Sequence, residues 1–232
     1  MEITKITDRT TMFTIPESAT SYVNLCLIKG KHHNFLIDTG VGESNVNAVL
    51  EYLGNDPKPI VAIITHAHWD HIFGNSALEG SLIISHTLCR EIMDKQWGND
   101  VKNVLQSNLE GIGSVNPEYI DAEIHKCLPN LVFDSTLHFP DDGITLFHTP
   151  AHTVDGISIY DSVDKALYTG DNFGVFDGVA YYWGEDLSDF ERMIEAYKQY
   201  DFDICISSHS EPQTKEVIAL LEADLAKLRQ KQ

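Results

Sequence analysis

Apolar side chains come in short runs along the first 40 residues. MFTI (12–15), SYVNLCLI (21–28) and HNFLI (33–37) are rich in apolar and β-branched residues, and each ends at turn formers or charge. That pattern predicts strands. At 43–53 the period changes. Val46, Val49, Leu50 and Leu53 recur at helical intervals, and Asn55, Asp56, Pro57 and Pro59 close the segment. PIVAII (59–64) and SLIIS (81–85) read as buried strands. Three helical stretches then follow, CREIMDKQW (89–97), VKNVLQSNLEGI (101–112) and PEYIDAEIHKCL (117–128).

Strands return in STLHF, GITLFHT, ISIYDS and KALYTG between 135 and 170. DLSDFERMIEAYKQY (186–200) reads as an amphipathic helix with Asp186, Ser188 and Asp189 as cap candidates. DICISS (203–208) is another buried strand, and 211–230 a terminal helix. Strand-then-helix thus occurs twice. The predicted fold class is α/β, with two sheets back to back and helices outside, which would bury both apolar strand sets. No repeat, low-complexity tract or linker divides the chain, so one domain over 1–232 is expected, with a helical insertion at about 86–130.

Charge narrows the partners. Lys plus Arg number 16 and Asp plus Glu 35, a formal charge of −19. Such a surface repels phosphate backbones and anionic bilayers, so neither nucleic acid nor membrane is an expected partner. A small molecule is expected, and a homodimer is compatible with the sequence. Cys26, Cys89, Cys127 and Cys205 form no C-x-x-C pair, and MEITKITDRT has no apolar core of a secretory signal. A cytoplasmic protein with reduced thiols is expected.

The chemistry concentrates in THAHWDH, residues 65–71, which follows the PIVAII strand. Imidazole and carboxylate bind zinc and its first-row neighbours. On an extended backbone, residues two apart point the same way, so His66 and His68 can reach one ion. Asp70 and His71 lie where a loop enters a helix expected to begin near Ile72. Three further candidates each follow an apolar strand: His152 in HTPAHT, Asp171 in YTGDN and His209 in SSHSEP. All three could therefore converge on one sheet edge. His148 falls inside a predicted strand. It is read as a non-ligand, as are His32, His33, His86, His125 and His138.

These residues resemble the metallo-β-lactamase-fold superfamily. His66, His68, Asp70 and His71 match its His-x-His-x-Asp-His hallmark in full. Thr149-Pro150-Ala151-His152-Thr153, Gly170-Asp171, Ser208-His209-Ser210 and Asp38-Thr39-Gly40 are similar to its later and earlier motifs, in the family order. Ala151 stands where glycine is usual, and Ser208 and Ser210 stand where glycines are common. The resemblance implies a four-layer αββα sandwich. It also implies His66, His68 and His152 on one metal, Asp70, His71 and His209 on a second, and Asp171 bridging. Asp38 would organise the site without binding metal.

Two divalent ions are implied, zinc first, with iron or manganese as alternatives. A pair of ions about 3.5–4 Å apart can hold a shared hydroxide, so hydrolysis of a small ester, thioester or lactone is expected. The alternatives are an iron-dependent sulfur dioxygenase on the same scaffold and a phosphodiesterase. The bridging aspartate argues against a true β-lactamase, which generally lacks it. Asp70 is expected to act in catalysis as well as in binding. Trp69, Trp97, Tyr181, Tyr182 and Trp183 are candidates for a pocket wall. Either Tyr181 or Tyr182 could hydrogen-bond a substrate oxygen, as a tyrosine does in the lactonase branch.

Overall fold

The computed structural model describes residues 1–17, 21–96 and 125–231. Trp97 and most of the expected helical insertion lie outside the described residues. The chain forms two compact units, Met1–Phe133 and Asp134–Gln232.

The first unit is built on a seven-stranded sheet in sequence order. Its strands are β1 (Glu2–Lys5), β2 (Thr10–Pro16), β3 (Tyr22–Lys29), β4 (Asn34–Ile37), β5 (Ile60–Ile63), β6 (Leu82–His86) and β7 (Leu131–Phe133). β1 to β4 pair antiparallel, and β4 to β7 pair parallel. Parallel neighbours need a crossover. Helix α1 (Glu43–Leu53) supplies it between β4 and β5. Helix α2 (Trp69–Ile72) and a 3-10 turn at Asn75–Leu78 supply it between β5 and β6, and α3 (Thr87–Gln96) follows β6.

Phe13, Leu25, Leu27, Leu36, Ala62 and Ile64 form the core of this unit with Val46 and Val49 of α1. Burying each large side chain of this kind contributes about 1.5–3 kcal/mol. β4, β5 and β6 run side by side in one direction, so the segments after them leave from a common edge. Those segments carry Asp38 and the 65–71 cluster.

The second unit has a six-stranded sheet ordered β15-β14-β11-β10-β9-β8. The strands are β8 (Thr136–Phe139), β9 (Ile144–His148), β10 (Ile157–Asp161), β11 (Ala166–Tyr168), β14 (Ile204–Ile206) and β15 (Gln213–Thr214). β12 (Phe173–Phe176) and β13 (Val179–Tyr182) form a separate hairpin. β10 runs antiparallel to both β9 and β11, and β14 runs parallel to β11. The C-terminal ends of β9, β11 and β14 therefore share one edge, from which His152, Asp171 and His209 follow.

Helix α4 (Leu187–Tyr197) opens at Asp186, whose carboxylate accepts from the Ser188 N–H at 2.7 Å. It buries Phe190, Met193, Ile194 and Tyr197 in the core of this unit, with Val217, Leu221 and Leu225 of α5 (Val217–Arg229).

Several elements differ from the sequence reading. β1 (EITK), β7 (LVF) and β15 (QT) are strands that the sequence reading does not contain, and each is placed by its pairing with β2, β6 or β14. The terminal helix starts at Val217 rather than near 211, because Gln213 and Thr214 pair with Cys205 and Ile204. His125 to Leu128, expected at a helix end, carry no regular structure. The β12–β13 hairpin lies outside the strands expected from the sequence, although its turn is legible. Asp177 and Gly178 both take positive φ, 51° and 74°, between the paired residues Phe176 and Val179. This is the two-residue Asp-Gly hairpin turn, which glycine enters without steric cost.

Candidate metal centre

In the first unit, the 65–71 cluster is held from behind by Asp38. This residue directly follows β4 with φ 60°, a left-handed conformation that costs a side-chain-bearing residue and is often retained at functional sites. Its backbone N–H donates to the Ile63 carbonyl at 2.9 Å. Its carboxylate accepts from the Thr65 backbone N–H and hydroxyl, both at 2.8 Å, and faces His71 Nδ1 at 2.8 Å. With the Nδ1 proton held there, His71 presents Nε2 as a lone pair, 3.2 Å from Asp70 Oδ2.

The Thr65 hydroxyl donates to Asp38, so it can accept from His66 Nδ1, 3.1 Å away. His66 then presents Nε2, which lies 2.9 Å from His68 Nδ1. His66, Asp70 and His71 are buried, and His68 is exposed. The helix expected near Ile72 begins earlier, at Trp69, with His68 as its N-cap. Asp70 and His71 therefore sit on the helix rather than on a loop leading into it.

The second unit repeats this logic. His152 Nδ1 donates to the Trp183 carbonyl at 2.9 Å, which leaves Nε2 facing Asp171 Oδ2 at 3.9 Å. The same carboxylate oxygen lies 3.2 Å from His209 Nε2. Asp171 is buried, and the two histidines are half-buried.

Asn172 ties the ligand loops together. Its side-chain oxygen accepts from the His152 N–H at 3.2 Å, and its amide donates to the Tyr197 hydroxyl at 2.8 Å. Tyr197 and Thr149 both meet the Ser158 hydroxyl, at 2.8 and 2.7 Å. All four side chains of this network are buried, and burial pushes the Tyr197 phenol well above its usual range. Sequence reasoning missed Asn172 and the Trp183 carbonyl. The first sits beside Asp171 without a motif of its own, and a backbone carbonyl has no residue-type signal.

The donor sets fit metal ions. With zinc–nitrogen bonds of about 2.0–2.1 Å, two ligands on one tetrahedral ion stand about 3.3 Å apart. The pairs His66–His68, Asp70–His71 and Asp171–His209, at 2.9, 3.2 and 3.2 Å, are near that spacing.

The two tyrosines have different surroundings. The Tyr182 hydroxyl meets the carbonyls of Ala151 and Asp186 at 2.9 and 3.0 Å, and its ring stacks on Phe190 with centroids 4.1 Å apart. Burial pushes its phenol up to about 12. Tyr182 thus braces the loop before His152. Tyr181 is exposed and lies against Phe176. Trp69 packs on the core of the first unit, with its ring 6.3 Å from that of Phe73. His148 meets the Val154 carbonyl through Nε2 at 2.9 Å, and His86 Nδ1 accepts from the Leu88 N–H at 3.1 Å.

Residues 20–209 match the family model of the metallo-beta-lactamase superfamily. The acyl-coenzyme A thioesterase MBLAC2 of Bos taurus is 26% identical over 196 residues, covering 74% of this chain and 67% of its own. The MBLAC2 thioesterase of Homo sapiens is 25% identical, with the same coverage. Among solved structures, the DIM-1 metallo-β-lactamase aligns with a TM-score of 0.74 at 17% identity, over 98% of this chain and 97% of its own. A metallo-β-lactamase from Hirschia baltica aligns at 0.71 and 18%, over 97% of both chains. At these identities the structural likeness bears on fold, and the fold class is the one expected from the sequence.

Proposed function

This chain belongs to the metallo-β-lactamase superfamily, and from that premise we propose that it is a hydrolase dependent on two divalent metal ions, acting on a small ester, thioester or lactone. His66, His68 and His152 would hold one ion. Asp70, His71 and His209 would hold the other, and Asp171 would be shared. The carrying observation is the place of Asp171, one of whose oxygens faces His209 at 3.2 Å and His152 at 3.9 Å. A carboxylate set between two imidazoles suits a ligand common to two ions. The union of the two ligand groups is supported by the family match, which runs through both.

Zinc is the proposed metal, although this donor set also accepts iron and manganese. Bound ions would supply Lewis acidity and a water acidic enough to react near neutral pH. The chain's own contribution is orientation. Asp38 and the Trp183 carbonyl hold the Nδ1 protons of His71 and His152, so that Nε2 faces the centre. Asp70 would accept a proton released there. A thioester is the favoured substrate, on the similarity to the acyl-coenzyme A thioesterases.

The test is hydrolysis by protein of counted metal content, across acyl thioesters, lactones, simple esters, phosphodiesters and a β-lactam. Two ions per chain and a clear preference for acyl substrates are expected, with activity abolished by chelation and restored by zinc. Silence across the panel with both positions filled, or oxygen uptake with a persulfide by iron-loaded protein, would overturn the hydrolase reading.

A further inference from the structure

We propose that the outer face of the β12–β13 hairpin is an acyl-chain subsite, binding an unbranched apolar chain that leads to the metal centre. This rests on the reading above for where the chain begins.

In a hairpin, alternate residues share a face. Phe173, Val175 and Ala180 are buried with the core of the second unit, and Tyr182 packs against it. The opposite face carries Gly174, Phe176, Val179 and Tyr181, with Trp183 continuing its alternation. A strand pair with one face in the core ordinarily turns polar residues to solvent. Here the outer face is apolar and aromatic, with Phe176 43%, Val179 37% and Tyr181 47% exposed. An exposed apolar patch of this kind points to a binding surface.

The three rings are contiguous. The Phe176 centroid lies 6.0 Å from Tyr181 and 6.1 Å from Trp183. Gly174 makes the surface flat. A Cβ there would stand 2.4 Å from Trp183 Cζ2 and 2.8 Å from Phe176 Cε2, so the indole lies across the strand only because that position has no side chain.

Trp183 gives the patch its occupant. Its ring centroid is 5.8 Å from that of His209, and its carbonyl holds His152 at 2.9 Å. One residue thus joins the apolar face to two proposed ligands. No ionisable carboxylate, ammonium or guanidinium stands among the five positions of the face, so it suits an uncharged aliphatic chain rather than an anionic headgroup.

The test is calorimetric binding of S-alkyl N-acetylcysteamine thioethers, from butyl to dodecyl, which cannot be hydrolysed. Wild-type Kd should fall about twofold per methylene, which is partial burial on the transfer scale. In the double variant Phe176→Ser/Tyr181→Ser the dependence should flatten, leaving dodecyl binding at least tenfold weaker than wild type. Both side chains are exposed, and unchanged thermal unfolding would verify the fold. A flat wild-type series, or an equal slope in the variant, would overturn the proposal. Chain-length-dependent binding without turnover of any substrate would sink the hydrolase reading and leave this one standing. Hydrolysis of short thioesters with flat binding would do the reverse.

Discussion

Asp38 and His71, 33 residues apart in the chain, meet at 2.8 Å with both side chains buried. The carboxylate sets the imidazole tautomer, and its own left-handed backbone is held by the Ile63 carbonyl and by Thr65. Asp38→Asn keeps the shape and a residue that tolerates positive φ, but removes the charge that favours the Nδ1 proton. Metal affinity should fall by about 10–100-fold, the usual effect of losing such a partner. Chelator competition on the folded variant is the measurement. Unchanged affinity would mean that His71 is oriented without Asp38.

Asp171→Ala removes the oxygen that faces both His209 and His152. The variant should retain fewer than two ions after dialysis and lose nearly all activity. Elemental analysis decides it, and full metal content with full activity would end the dinuclear reading.

Tyr197→Phe deletes one hydroxyl from the buried Asn172–Tyr197–Ser158–Thr149 network. Two buried groups, the Asn172 amide and the Ser158 hydroxyl, then lose a partner. The expected cost is about 1–3 kcal/mol in urea unfolding. Metal affinity should weaken as well, since Asn172 also accepts from the His152 backbone. A variant as stable as wild type would show that water replaces the hydroxyl.

Alkaline stability follows from the buried phenols. Tyr182 titrates at about 12 in the folded chain against 10.0 for an ordinary tyrosine, chiefly through desolvation, and Tyr197 is shifted in the same direction by burial. The unfolded chain therefore releases these protons first. Their contribution is complete below about pH 10 and is lost as pH rises toward 12. Denaturation midpoints should decline across that window, and the decline should be shallower in Tyr182→Phe. An identical profile in that variant would assign the alkaline loss to other groups.

The elements legible in the sequence are those that lie within an apolar run or an apolar period. Glu43–Leu53 emerges with the predicted bounds, because four apolar residues at helical spacing must share a face. The ligand candidates were legible for a related reason, since each follows an apolar strand. Three strands were not. EITK of β1 and QT of β15 lack an apolar run, and β1, β7 and β15 take their place by pairing with β2, β6 and β14. Tyr182 shows the limit for side chains. Its place beside Tyr181 and Trp183 suggested contact with substrate, whereas alternation along β13 turns it toward Phe190 and the Ala151 carbonyl.

Residue type and spacing alone determined the family motifs, the α/β class and the metal-binding character, because the donor chemistry of His and Asp and the periods of helix and strand are local properties. Which strand ends adjoin is not local. The parallel pairing of β4 with β5 brings Asp38 beside Thr65 and His71. The pairing of β11 with β14 brings Asp171 beside His209, and the β12–β13 hairpin carries the Trp183 carbonyl to His152. Those contacts join residues 27 to 38 positions apart. Only the hydrogen-bond register of the folded sheets selects them.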